Sequence, residues 1–234
     1  MRRDESFAVA GHVNIDIDVS AGAVLVRTAA SGAVAVSVDT GNASDFTIAL
    51  MGDTVVARSG RRSRSARVVV DCPAGTDVSV RGASIDVTAR GPLGSLRVRT
   101  ASGDVEAEDL VRLEATSASG DMRVGLVRTV VTGSVASGDL RIERVGGDIE
   151  FGSVSGDVSV GRCDGSSIEI RSLSGDVRIG LPSGIRVDPE ISTLSGRVVL
   201  PTAARPTTTT AGERRSVRVR LRTVSGDIRV ERVD

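Results

Sequence analysis

Apolar and polar residues alternate with a period of two along most of this chain, the pattern of strands with one face in a core. The run His12-Val13-Asn14-Ile15-Asp16-Ile17-Asp18-Val19 is strict, with Val13, Ile15, Ile17 and Val19 on one side. Further strands are expected over Val34 to Val38, Thr47 to Leu50, Val68 to Val70 and Val78 to Val80, and Cys72-Pro73-Ala74-Gly75 ends one of them. No long stretch shows the 3.6-residue period of a helix, and Val, Thr and Gly are abundant. The chain reads as all-β.

From Ser102 onward a longer period is laid over the alternation. Ser-Gly-Asp recurs at Ser102-Gly103-Asp104, Ser119-Gly120-Asp121, Ser137-Gly138-Asp139, Ser155-Gly156-Asp157, Ser174-Gly175-Asp176 and Ser225-Gly226-Asp227. Ser195-Gly196-Arg197 is a further copy with the acid replaced. Successive glycines are 17, 18, 18, 19, 21 and 30 residues apart, and a half-repeat at Gly147-Asp148 and Gly165-Ser166 runs about nine residues out of phase. Two residues past each glycine stand Val105, Met122, Leu140, Val158, Val177, Val198 and Ile228, and four past it Ala107, Val124, Ile142, Val160, Ile179, Leu200 and Val230. Both columns are apolar throughout and are expected to face inward. Ile149, Phe151, Ile168 and Ile170 do the same on the opposite side.

A unit this short cannot bury its own apolar face. Stacked copies can, each strand pairing with its equivalent one coil away at about 4.8 Å. The expected fold is a single-stranded β-solenoid of about 18-residue coils. Residues 1–90 form a less regular β region, 91–200 the regular coils, 201–216 a mobile loop and 217–234 a closing coil, all in one continuous domain.

Composition then narrows the chemistry. The chain has 234 residues with 27 Gly, three Phe, one His, and neither Trp nor Tyr. Thirty cations, all Arg, balance thirty acids. That neutrality argues against a nucleic-acid binder, and the missing rings remove stacking platforms for bases and sugars, so carbohydrate is disfavoured as well. One His and two Cys cannot make a zinc site without several carboxylates. No cofactor is expected. No apolar run is long enough for a membrane span. The start, Met1-Arg2-Arg3-Asp4-Glu5-Ser6, turns acidic at once and reads as no export signal, so a cytoplasmic location with reduced Cys72 and Cys163 is expected.

Stacking also gives the repeated charges a structural reading. Gly103, Gly120, Gly138, Gly156, Gly175 and Gly226 supply tight corners, while Asp104, Asp121, Asp139, Asp157, Asp176 and Asp227 line up beside them and can accept backbone N–H bonds in the turns. Arg123, Arg141 and Arg178 form a neighbouring column that relieves the repulsion. These arginines, with Arg58, Arg61, Arg62 and Arg64 in an Arg- and Ser-rich connection from Arg58 to Arg67, are the candidate interaction surface. Arg218, Arg220 and Arg222 make a second basic strip.

Other groups were weighed for chemistry. Glycine-aspartate turns are a feature of calcium-binding β-rolls, yet only Gly146-Gly147-Asp148 approaches the required pattern. His12, Asn14, Asp16 and Asp18 share a face, but alternate residues stand about 6.8 Å apart, too far for one ion to meet more than two. Glu150 and Glu169 fall at equivalent positions on adjacent coils, a separation that would suit a retaining glycosidase, and Arg171 lies beside them. Cys163 replaces Val145 and Val127 of earlier coils, and Cys72 shares a face with Val68 and Val70, so both read as small core residues.

The Ser-Gly-Asp-apolar-x-apolar copies, with Ser192-Thr193-Leu194-Ser195-Gly196-Arg197-Val198 and the terminal Arg222-Thr223-Val224-Ser225-Gly226-Asp227-Ile228, resemble a bacterial "putative adhesin" family of unknown function. The resemblance spans nearly the whole chain and implies a right-handed β-helix-like fold; it brings no catalytic residues. The function expected is therefore non-catalytic: an adhesin-like scaffold showing a charged ladder to a protein partner or to itself. A polysaccharide-active β-helix and a calcium-binding module are the alternatives.

Overall fold

A computed structural model describes residues 1–9, 11–30, 32–41, 46–60, 65–201 and 216–234, and these residues contain strands and turns but no helix. The first strands are β1 (Arg2–Ala8), β2 (Asn14–Asp18), β3 (Ala21–Thr28), β4 (Ala33–Thr40), β5 (Phe46–Met51), β6 (Thr54–Ser59) and β7 (Ala66–Cys72). Long strands follow: β8 (Asp77–Ser102), β9 (Val105–Ser119) and β10 (Met122–Ser137). Then come β11 (Leu140–Val145), β12 (Asp148–Ser155), β13 (Val158–Cys163), β14 (Ser167–Ser174) and β15 (Val177–Pro182). The last are β16 (Arg186–Ser195), β17 (Val198–Val199), β18 (Ser216–Ser225) and β19 (Ile228–Val233).

These strands make one open sheet bent into two walls. One wall runs β1–β4–β7–β3–β8–β9–β10–β11–β13–β15–β19–β17. The other runs β5–β6–β2–β8–β9–β10–β12–β14–β18–β16. Pairing is parallel except at the N-terminal end, where β1–β4, β4–β7 and β5–β6 are antiparallel. The parallel register pairs each Ser-Gly-Asp copy with the next, as in Met122 with Leu140 and Leu140 with Val158. Each layer of this stack is a rung.

The core is a single aliphatic cluster between the walls. Val105, Met122, Leu140, Val158, Val177 and Ile228 enter it from one wall, and Leu113, Val131, Ile149, Ile168 and Val219 from the other. Val13, Ile15, Ile17 and Val19 are buried as their alternation requires. Side chains of this size fill a thin two-walled core, and Phe46 and Phe151 are the rings that it admits.

Three expectations need correction. The regular pairing does not begin at residue 91: β2 and β3 already pair in parallel with residues 77–81 and 84–90 of β8. Arg58 and Arg67 lie in strands β6 and β7, not in the connection between them.

The third correction is the largest. Residues 217–234 do not close the stack. Strands β18 and β19 lie between the rung of β14 and β15 and the rung of β16 and β17, pairing in parallel on both sides. The chain passes over one rung between Pro182 and Arg186, builds the last layer, and then returns to fill the gap. Val198 and Leu200, expected inside, are therefore 39% and 44% exposed, with no rung among the described residues covering them. The loop expected over 201–216 lies, from 202 to 215, outside the described residues.

Candidate interaction surface

The motif is first a device for joining rungs. Gly103, Gly120, Gly138, Gly156, Gly175 and Gly226 all have positive φ. At Gly138 (φ 138°) a Cβ would lie 2.7 Å from the carbonyl carbon of Gly120 and nearer still to its oxygen. The corner is narrow enough that backbone stacks on backbone.

Each aspartate then locks its rung to the next. Oδ1 of Asp86, Asp104, Asp121, Asp139, Asp157, Asp176 and Asp227 accepts the backbone N–H of residue 104, 121, 139, 157, 176, 227 and 197 respectively, at 2.8–3.1 Å. The acceptor role expected of these acids is present, but the donor is in the next rung and not in the acid's own turn. Among the described residues the ladder ends at Arg197, above which no further rung is described. On the second corner, Asp148 Oδ1 repeats the device with the N–H groups of Ser166 and Ser167 and the Ser166 hydroxyl, at 2.9–3.1 Å. Burial pushes the Asp148 carboxyl up, but these three donors outweigh it and hold its pKa below the ordinary 3.8.

The arginine column does neutralise the other carboxylate oxygen. Arg123 reaches Asp121 at 2.8 Å, Arg141 reaches Asp139 at 3.2 Å and Arg178 reaches Asp176 at 2.9 Å. Exposed pairs like these contribute about 0–1 kcal/mol each. Arg58 belongs elsewhere, bonded to Asp16 at 3.1 Å on the second wall. Arg61, Arg62 and Arg64 lie outside the described residues. Among the described residues, Arg58 thus stands on a different wall from Arg123, Arg141 and Arg178.

A feature missed in the sequence sits just inside the corner. Thr100, Ser117, Ser153, Ser172 and Thr223 are buried polar residues in one column. Thr100 Oγ1 donates to Ser102 O at 2.6 Å, Ser117 Oγ to Ser119 O at 2.8 Å and Thr223 Oγ1 to Ser225 O at 3.3 Å. Each of these hydroxyls thus satisfies itself on the carbonyl two residues further on at the bend, and the Ser225 carbonyl accepts the ladder N–H of Gly175 as well.

Just outside that corner runs an apolar ridge, also missed. The residue before each Ser-Gly is Ala101, Ala118, Ala136, Val154, Leu173, Val224 and Leu194 in spatial order, and all are exposed. Val154, Leu173, Val224 and Leu194 are 51%, 58%, 47% and 89% exposed, so the ridge grows toward the C-terminal end of the stack. Adjacent rungs place these side chains about 4.8 Å apart. The result is an unbroken line of large apolar groups on the surface of the stack.

Most of the remaining candidates are held in ion pairs or in the core, while Glu150 stands exposed. Glu150 and Glu169 are register partners as expected, beside a shallow depression of about 250 Å³ over Phe151. Glu169 is bonded by Arg171 and lies 3.5 Å from Arg220 of the inserted strand. Arg220 and Arg222 also meet Glu190, at 2.9 and 2.6 Å. His12 Nε2 lies 3.1 Å from Asp77 on an exposed face. Cys72 and Cys163 are free and buried, and desolvation pushes both thiols up to about 11. Among the described residues no three His, Cys, Asp or Glu side chains are grouped to hold a metal ion, and no helix is long and apolar enough to cross a membrane.

Against this geometry the family comparison is decisive: the sequence profile of the Toastrack DUF4097 family matches residues 12–231. The chain belongs to that family. The stacked architecture of this Toastrack chain is also that of a solved protein described as a "putative adhesin" from Bacteroides fragilis NCTC 9343. That structure shares 13% identity and a TM-score of 0.60, over 100% of this chain and 97% of the other. A "putative adhesin" from Parabacteroides distasonis ATCC 8503 aligns over 100% and 97% of the two chains at 13% identity, with a TM-score of 0.48. No curated protein matches the Toastrack chain. At 13% identity the Bacteroides fragilis structure speaks for the fold alone.

Proposed function

We propose that this Toastrack protein is a non-catalytic, adhesin-like scaffold whose apolar ridge docks a protein partner or a second copy of the chain. The observation that carries this reading is the ridge itself. Val154, Leu173, Val224 and Leu194 project from a surface whose backbone is fixed by the glycine and aspartate ladders, so docking there costs little ordering entropy. Glu169 is engaged with arginines and the repeat aspartates with arginines or with backbone N–H groups of the next rung, which supports a structural use of these acids. Parallel pairing of copies about 18 residues apart also supports winding as a right-handed β-helix within one continuous domain, since parallel crossovers are almost always right-handed. A reducing compartment suits the two free thiols.

The test is a ridge variant, Leu173→Asp with Val224→Asp, compared with wild type. Both residues are exposed, so folding is expected to be unchanged by circular dichroism. Sedimentation velocity and crosslinking in cells of the source organism should show association that the variant loses. Equal association by both proteins would remove the ridge from the account.

A further inference from the structure

The out-of-order rung has a consequence for assembly. Both walls of the slot that holds β18 and β19 come from earlier residues: β14 and β15 on one side, β16 and β17 on the other. The slot is specific in charge as well as in register. Along one outward column Arg220 stands between Glu169 and Glu190, 3.5 and 2.9 Å from them. Without the inserted strand those two glutamates would be successive residues of one column. Inward, Leu221 fits between Ile170 and Ile191. At the corner Asp176 Oδ1 accepts the N–H of Asp227, and Asp227 Oδ1 accepts that of Arg197, at 2.9 and 2.8 Å.

The far end of the insert is latched to the segment that passes over the slot. Arg232 donates to the carbonyls of Pro182 and Ile185, both at 2.9 Å, and the Ser183 hydroxyl lies 3.1 Å from Asp234 Oδ1. All of these contacts are non-covalent. The only covalent tie between slot and insert is the connection of residues 201–215. Fifteen residues can span up to about 50 Å when extended, more than the width of a rung.

We propose that residues 216–234 are an exchangeable insert, and that the slot of one copy accepts this segment from a second copy of the same chain. Every contact of the closed form can be remade between copies, because both walls of the slot are made of residues that precede the insert and β16 and β17 pair with the insert alone. The tether gives the chain's own insert an effective concentration in the millimolar range, so dilute protein is closed and monomeric. Copies brought to comparable local density exchange inserts and become linked. This rests on the reading of the protein as a scaffold that binds itself or a partner, and it names the segment through which self-binding occurs.

The test uses two full-length variants with opposed charge errors. One carries Arg220→Glu and places three glutamates in a column; the other carries Glu169→Arg with Glu190→Arg and places three arginines there. Neither insert suits its own slot, but each suits the slot of the other. Refolded together at equal concentration, they should give a heterodimer of twice the 24.1 kDa chain mass by light scattering, absent from either alone. The single chain carrying all three substitutions should return to a closed monomer. If the mixture gives no heterodimer while the triple variant folds, exchange is wrong. If the triple variant does not fold, the charge column does not specify the slot and the proposal also fails. Ridge substitutions at Leu173 and Val224 leave this column untouched, so their loss of association and a failure of exchange are told apart.

Discussion

Replacing Gly138 by Ala strikes the contact that holds two rungs together. The backbone there has φ 138°, which side-chain-bearing residues occupy only with strain of about 1–3 kcal/mol. The new Cβ would lie 2.7 Å from the Gly120 carbonyl carbon, and relieving the overlap means separating rungs, at about 1–3 kcal/mol. Loss of unfolded-state freedom offsets about 0.4–1 kcal/mol. A net destabilisation of about 2–5 kcal/mol is expected, lowering Tm by roughly 4–20 °C for a chain of this size. Two further glycines separate the causes. Gly184 has φ 84° with nothing within 4 Å of its Cβ direction, so Gly184→Ala is expected to cost only about 1–2 kcal/mol. Gly152 has ordinary φ and its nearest neighbour would be Ser134 Cβ at 3.6 Å, so Gly152→Ala should be neutral or stabilise by about 0.4–1 kcal/mol. Differential scanning calorimetry ranks the three. A Gly138→Ala protein that melts with Gly152→Ala would refute the idea that the motif glycine exists to let rungs touch.

Asp139→Ala should cost about 1–3 kcal/mol in a urea titration because it orphans the N–H of Asp157, and Asp139→Asn should cost less because the amide oxygen still accepts. Asp148, whose pKa is held below 3.8 by its donors, stabilises the fold at pH values above 3.8 and loses that contribution as pH falls through its folded value. The stability gap between wild type and Asp148→Asn should therefore be full at neutral pH and close on acidification; a gap that persists in acid would assign it to something other than the charge. Both thiols should resist an aromatic disulfide reagent at neutral pH in the native protein and react together on unfolding, since burial holds Cys72 and Cys163 protonated. Rapid native labelling of either would contradict their place in the core.

What could be seen in the sequence was whatever obeyed a local period. Inward columns such as Met122, Leu140 and Val158 repeat every rung, so the core, the strand character and the glycine corners follow from spacing alone. The order of the rungs does not, because a repeat looks the same to every other repeat. Two residues nevertheless marked the terminal layer. Arg197 stands where other copies have Asp, in a rung beyond which no other is described, and the exposed Pro189, paired with Val219, lies on the outermost described strand of its wall. The ridge escaped notice for a different reason: a single apolar residue before Ser-Gly is unremarkable alone, and only stacking turns Val154, Leu173, Val224 and Leu194 into a line. The buried Thr100, Ser117 and Thr223 were hidden similarly, their role being set by a bend that the alternation does not encode.

The layer order can be read directly by cysteine crosslinking at three exposed outward positions of one column, Arg171, Ser192 and Arg222. With β18 inserted, residues 171 and 222 are one rung apart, about 4.8 Å, and residues 171 and 192 are two apart, about 9.6 Å. A short bifunctional thiol-reactive crosslinker should join the pair in Arg171→Cys with Arg222→Cys and leave Arg171→Cys with Ser192→Cys unlinked. A stack built in chain order would give the reverse, and that result would overturn the inserted rung and the assembly argued from it.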